Sequence, residues 1–180
     1  MRVIAGRLRG RALRAPRGRA TRPTSDRVRE ALFSILGDVS GARVLDLYAG
    51  SGALGIEALS RGAAFAAFVE SAPGALACIR HNLSVLELED HCQVIAARVE
   101  RGLRELRRFA PFDLVLCDPP WTLLSQATSA LGIVAEVVSE NATLAVEHPT
   151  KTELIQPSGF RPVDRRRWGD TAVSLFARTT

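Results

Sequence analysis

No apolar run in this sequence is long enough to cross a bilayer, and its arginine-rich start lacks the apolar core of a signal peptide. The pattern therefore predicts a chain that works in the cytoplasm. Cysteine is sparse: Cys78, Cys92 and Cys117 have no metal-type spacing. Each lies in an apolar periodic segment, which predicts buried free thiols in a reducing compartment. The three histidines, His81, His91 and His148, are scattered, so neither a zinc site nor a Ser-His-Asp arrangement is expected. Lysine and tyrosine occur once each, as Lys151 and Tyr48 on unrelated segments. That leaves no Tyr-Lys proton-donor pair of the kind a small nicotinamide-dependent oxidoreductase would use.

What is abundant is arginine, and its placement is uneven. Residues 1–30 hold ten arginines against Asp26 and Glu30, a net +8, which leaves −3 for the rest of a chain whose total is +5. Clustered arginine is the electrostatic footprint of a phosphate backbone. A solvated charged tail would have the same composition. The length of 180 residues suits one hydrophobic core.

Periodicity orders the chain. Residues 2–15 alternate small or apolar residues with basic ones and are broken by Gly6 and Gly10, which predicts a short basic β-hairpin or extended arm. Pro16 to Ala20 reads as a link. Arg22-Pro23-Thr24-Ser25-Asp26 then opens a helix, with Thr24 or Ser25 as cap. Its buried stripe is Val28, Ala31, Leu32, Ile35 and Leu36, with Arg27 and Arg29 off the stripe and available to RNA or to a cofactor carboxylate, or simply exposed. Strands are expected at Arg43 to Tyr48, Ala64 to Val69, Cys92 to Ala97, Phe112 to Cys117 and Ala142 to Glu147. Helices are expected at Ile56 to Arg61, Pro73 to Leu86, from Arg98 onward, and at Leu124 to Val138. This alternation predicts an α/β fold with a parallel sheet and helices on both faces. Phe160 to Trp168 and Thr171 to Arg178 flank Gly169-Asp170, a two-residue hairpin signal that makes one edge antiparallel.

Three carboxylates fall at predicted strand ends, where ligands of such sheets sit. Asp46 precedes Ala49-Gly50-Ser51-Gly52-Ala53-Leu54-Gly55, whose spacing satisfies G-x-G-x-x-G and admits a dinucleotide. A carboxylate just ahead of the glycines would repel a pyrophosphate, yet it could hold an ammonium, as S-adenosylmethionine carries. Glu70 ends the second strand, placed for ribose hydroxyls, which both cofactors possess. Asp118-Pro119-Pro120-Trp121 ends the fourth. The prolines stop the strand and leave a carboxylate, stiff carbonyls and a flat ring. Asp118 and the Pro119 carbonyl can accept from an exocyclic amino group while Trp121 stacks on its base. A Pro-Pro turn with a half-buried Trp is the bland alternative.

Taken together, these residues resemble a class I S-adenosylmethionine-dependent methyltransferase with a Rossmann-like, mostly parallel seven-stranded sheet. Three stretches narrow the resemblance to the bacterial RsmD family of 16S rRNA guanine-N2 methyltransferases: Arg22 to Glu30, Leu45 to Gly55, and Trp168 to Val173. The resemblance implies a basic RNA-contacting arm over residues 1–21 and a methyltransferase domain over 22–180. It implies S-adenosylmethionine as cofactor, no metal, a monomer, and guanine 966 of 16S rRNA in a small ribosomal subunit or assembly intermediate as the target. Asp118, Pro119, Pro120 and Trp121 would be catalytic. Asp46, Tyr48, Ala49, Gly50, Ser51, Gly52, Glu70, Ser71, Ala97 and Arg98 would bind cofactor. Arg2, Arg7, Arg9, Arg11, Arg22, Thr24 and Arg27 would meet RNA. The chain departs from the family at Ala96-Ala97-Arg98, where relatives often carry Asp or Asn. Arg98 cannot accept from an adenine amino group, so adenine recognition falls to backbone groups there. A methyltransferase acting on adenine N6 or cytosine N4, and a non-enzymatic RNA-binding assembly protein, remain alternatives at this stage.

Overall fold

The computed structural model describes residues 1–16 and 26–179. Its strands are β1 (Arg43–Leu47), β2 (Phe65–Glu70), β3 (Cys92–Ala96), β4 (Phe112–Cys117), β5 (Val138–Pro149), β6 (Phe160–Trp168) and β7 (Thr171–Arg178). They form one seven-stranded sheet in the order β3-β2-β1-β4-β5-β7-β6. β1 to β5 pair in parallel, and β7 runs antiparallel to both of its neighbours. The hairpin closes where the sequence places it, with Trp168 opposite Thr171 and Gly169 at φ 60°.

The central strands are apolar on both faces because both faces are covered. On one face, Val44, Leu114 and Leu116 meet α1 (Asp26–Leu36), α2 (Ala53–Ser60) and α3 (Pro73–Val85) through Leu32, Phe33, Ile56, Leu59, Ile79 and Leu83. On the other, Leu45, Leu47 and Val115 meet α4 (Val99–Leu106) and α5 (Leu124–Val134) through Leu103, Leu106, Leu131 and Val134. Each such side chain contributes about 1.5–3 kcal/mol on burial.

Several boundaries differ from expectation. α5 stops at Val134 and β5 begins at Val138, whereas the valine spacing predicts helix to Val138 and a strand from Ala142. Phe112 explains the change: its N–H donates to the Val137 carbonyl at 2.9 Å, and it pairs with Val138 before the register shifts at Leu114. Two adjacent β-branched residues suit that strand start. α2 begins at Ala53, three residues ahead of Ile56. Cys92 is half-buried rather than buried, while Cys78 and Cys117 are buried. The expected helix cap at Thr24 or Ser25 and most of the Pro16 to Ala20 link lie outside the described residues.

The N-terminal segment folds back on itself and joins the core. Val3 N–H donates to Arg11 O, Gly10 N–H to Val3 O and Leu13 N–H to Met1 O, at 2.9–3.0 Å. Val3, Leu8 and Leu13 are buried in the same cluster as α1 to α3. The segment docks on the end of α2: Ile4 and Ala5 donate to the Glu57 carboxylate (2.8 and 3.0 Å), and Leu8 donates to Ser60 Oγ (3.0 Å). Gly6 passes so close that a Cβ there would lie 1.9 Å from the Ser60 carbonyl oxygen.

Arg29, expected at the surface, is 2% exposed. It donates to the Arg2 carbonyl and to Asp26 Oδ1 and pairs with Glu57 at 3.6 Å. Glu57 is itself fully buried and also receives Arg61 Nε at 2.8 Å. The hydrogen bonds from Ile4 and Ala5 help offset the desolvation of this buried charge cluster.

Candidate active site

The turn between β1 and α2 is fixed by side chains from three different elements. Asp46, on β1, is buried, and its Oδ2 accepts from Gly55 N–H at 2.9 Å. Glu70, at the end of β2, accepts from Gly50 N–H at 2.9 Å, and also from Ser71 and Ala72 at 2.7 and 2.8 Å. Asn82, on α3, donates to the Ser51 carbonyl at 2.9 Å. Gly52 N–H turns back to Ala49 O at 2.7 Å. Gly50 and Gly52 have φ 59° and 79°, the left-handed region that glycine adopts without cost. At Gly55 the reason for glycine is space: a Cβ would lie 2.4 Å from the Phe68 ring.

This bonding has a chemical consequence. Gly50, Gly52 and Gly55, the N–H groups a pyrophosphate would need, already donate within the protein. Burial raises the Asp46 carboxyl well above the ordinary carboxylate range, against the Gly55 hydrogen bond, and the charges of Asp118 and Glu70 push the same way. Asp46 thus serves the turn from behind.

A cavity of about 340 Å³ opens beside it at the carboxyl ends of β1, β2 and β4. Tyr48, Glu70, Ser71, Ala97, Arg98 and Pro120 line it, six of the residues the sequence singles out. Val69, Val99 and Leu123 supply apolar wall. Tyr48 has φ 58°, a left-handed conformation uncommon outside glycine that ends β1 abruptly. Burial pushes its phenol up, so it stays a neutral hydroxyl. The lining therefore joins the Glu70 carboxylate to an apolar wall, beside a turn whose Gly50, Gly52 and Gly55 N–H groups are already engaged. Among the described residues no group of His, Cys, Asp or Glu could hold a metal ion.

Asp118-Pro119-Pro120-Trp121 sits directly next to that turn. Leu47 pairs with Cys117 across β1 and β4, so Tyr48 and Asp118 leave the sheet side by side. Asp118 is half-buried, Pro119 buried and Trp121 half-buried. Trp121–Leu123 forms a single 3-10 turn, closed by Leu123 N–H on Pro120 O at 2.7 Å. Of the four motif residues Pro120 alone lines the cavity, with Glu70 on the same lining; Asp118, Pro119 and Trp121 are not part of it.

Arg2, Arg7, Arg9, Arg11 and Arg27 are exposed; Arg22 and Thr24 lie outside the described residues. Asp46, Ala49, Gly50, Ser51 and Gly52 shape the turn and are not in the cavity lining. Sequence reasoning missed Asn82 and Glu57, polar residues inside helical apolar stripes, as well as the wall residues Leu123, Gln126 and Glu100. A buried polar residue on an apolar stripe is the signal that could have found the first two.

The model of the family described as "Conserved hypothetical protein 95" matches residues 1–177. A Bacillus subtilis protein named "Putative rRNA methyltransferase YlbH" is 37% identical over 183 residues, covering 99% of each chain. The Haemophilus influenzae "Ribosomal RNA small subunit methyltransferase D" is 32% identical over 98% of this chain and 93% of its own. Among solved structures, the Escherichia coli protein titled "Putative methyltransferase yhhF" superposes with a TM-score of 0.82 at 32% identity, covering 99% of this chain and 97% of its own.

Proposed function

The chain belongs to the conserved hypothetical protein 95 family, and from that premise we propose that it methylates the exocyclic N2 of a guanine in 16S rRNA. The methyl donor is S-adenosylmethionine. The substrate is a small ribosomal subunit or an assembly intermediate in the cytoplasm, and the enzyme acts as a monomer. Relatives named as small-subunit rRNA methyltransferases support the RNA class. The observation that carries the reading is that Glu70 of the second strand and Pro120 of the Asp-Pro-Pro-Trp turn line one cavity.

When bound, S-adenosylmethionine supplies an electrophilic methyl group on a sulfonium. Glu70 would hold the ribose hydroxyls, and Ala97 and Arg98 would border the adenine. Tyr48 would receive the amino-acid end together with the adjoining turn, Ala49 to Gly52, which lies outside the cavity lining. Asp46 keeps the turn in shape through Gly55. On the substrate side, Asp118 and the Pro119 carbonyl accept from the guanine amino group. That amino lone pair is delocalised into the ring, and two acceptors on its hydrogens favour a pyramidal nitrogen. Trp121 stacks on the base and fixes its plane. Asp118 works as orienter and electrostatic partner, since the proton becomes acidic once the methyl has moved. The exposed arginines of the N-terminal segment supply salt-dependent affinity for the phosphate backbone.

Titration calorimetry with S-adenosylmethionine and NAD in parallel tests the cofactor assignment. Saturable binding of S-adenosylmethionine alone is expected. Binding of NAD alone would overturn the assignment, because it would require the turn to release the N–H groups now held by Glu70 and Asp46.

A further inference from the structure

Asn82 is 2% exposed, and its amide bridges two segments remote in sequence. Its Oδ1 accepts from Arg14 N–H at 2.8 Å. Its Nδ2 donates both to Arg14 O and to Ser51 O, each at 2.9 Å. Ser51 lies between the two left-handed glycines of the β1–α2 turn, and Arg14 closes the docked segment that presents Arg2, Arg7, Arg9 and Arg11. A second tether runs in parallel, from Ser51 Oγ to Met1 Sδ at 3.4 Å.

The chemistry of the side chain matches this bridge closely. A primary amide offers two N–H donors and a carbonyl acceptor in one plane, and all three are engaged here. An aspartate in the same place has no donor and sets a charge against two carbonyl oxygens. An alanine leaves the buried bond to the Ser51 carbonyl and the two partly buried bonds to the Arg14 backbone unmade, and a buried polar group costs free energy when its hydrogen bond is missing. Filling the space between α3 and its neighbours needs no amide; joining two backbones does.

We infer that Asn82 is a positioning residue that couples the basic N-terminal segment to the cofactor turn. Filling the cofactor site stiffens the turn, and through Asn82 it stiffens the segment that faces RNA. By reciprocity, RNA held on the segment tightens the cofactor. The inference rests on the proposed reading of the β1–α2 turn as part of the cofactor site.

Amide hydrogen exchange on the full chain, with and without saturating S-adenosylhomocysteine, tests this without turnover. In the wild type the ligand is expected to slow exchange at Val3, Gly10 and Leu13 by about threefold or more, as local opening of the segment becomes costlier. In Asn82→Asp and Asn82→Ala the slowing at those amides should fall below about 1.5-fold, while slowing at Gly50 and Gly52 remains. Val115 and Leu116 in β4 report any general loosening, so a merely structural defect is visible separately. A wild type that binds the ligand yet shows no slowing in residues 3–13 overturns the coupling, whether or not the variants fold. Equal slowing in wild type and folded variants overturns the role of Asn82. A wild type that shows no calorimetric binding of S-adenosylhomocysteine overturns the cofactor reading itself and the coupling with it.

Discussion

The turns after β1 and β4 leave the sheet side by side and are built on opposite principles. The β1–α2 turn is made of glycines, which adopt left-handed angles freely but hold no shape alone. Asp46, Glu70 and Asn82, from three different elements, hold it from outside. The turn after β4 begins Asp118-Pro119-Pro120, and its stiffness comes from proline rings that fix φ. The first is a tertiary construction and the second a local one. A turn shaped from outside can transmit what happens on α3 or in the N-terminal segment. A turn shaped by covalent geometry depends less on its surroundings, which suits the orienting role proposed for Asp118 and the Pro119 carbonyl.

That contrast can be broken at each turn separately. The largest effect is expected from Asp118→Ala: methyl transfer to unmethylated small subunits should fall by about 10³-fold or more, while calorimetric affinity for S-adenosylmethionine stays within about threefold because the β1–α2 turn is untouched. Comparable turnover would remove Asp118 from the chemistry. Next is Gly55→Ala, which drives a Cβ toward the buried Phe68 ring. Denaturant unfolding should show a loss of about 1–3 kcal/mol, and cofactor affinity should fall with it, since the helix start carries the turn.

Asp46→Asn sharpens the comparison through pH. Burial raises the Asp46 carboxyl in the folded state. Between its unfolded value of about 4 and its folded value, the folded chain holds a proton that the unfolded chain has lost. Stability from this group is therefore greatest below the unfolded value and declines as pH rises toward the folded one. The asparagine variant keeps an acceptor for Gly55 and has no titration. Its stability advantage over wild type should grow as pH is raised from about 4 toward neutrality; an advantage that shrinks would mean Asp46 is stabilised as the charged form. The smallest effect is expected from Arg9→Ala, an exposed site remote from both turns. It should weaken RNA binding without base preference and lower the salt dependence of affinity by about one ion, leaving cofactor affinity unchanged in filter-binding and calorimetric assays.

The β4 turn was legible in the sequence because its properties are local: Asp118, two prolines and Trp121 state their geometry wherever the strand puts them. The strand–turn–helix at Asp46 to Gly55 and the Gly169-Asp170 hairpin were legible for the same reason, as was the alternation that gives a parallel sheet. The restraints on the β1 turn were not. Asn82 and Arg14 are 68 residues apart, and Glu57 and Ile4 are 53 apart, so no periodicity connects them. Arg29 reads as an available charge, and Glu57 draws no notice, because a helical pattern marks apolar positions and is silent on charges buried against each other. At Asp46 the pattern locates a carboxylate at a strand end, which could hold an ammonium, but it does not show that Oδ2 accepts from Gly55 N–H. Val137 and Val138 continued a helical spacing that Phe112 overrides by pairing.

The most direct test of the central claim is the identity of the methylated nucleoside. Small subunits from cells lacking this enzyme would be incubated with purified protein and S-adenosylmethionine labelled in its methyl group, and the 16S rRNA digested to nucleosides for chromatography and mass spectrometry. The label is expected in N2-methylguanosine. Label in N6-methyladenosine or N4-methylcytidine would contradict the guanine assignment while keeping the Asp118 turn as an amino-group site, and absence of label from RNA altogether would contradict the account.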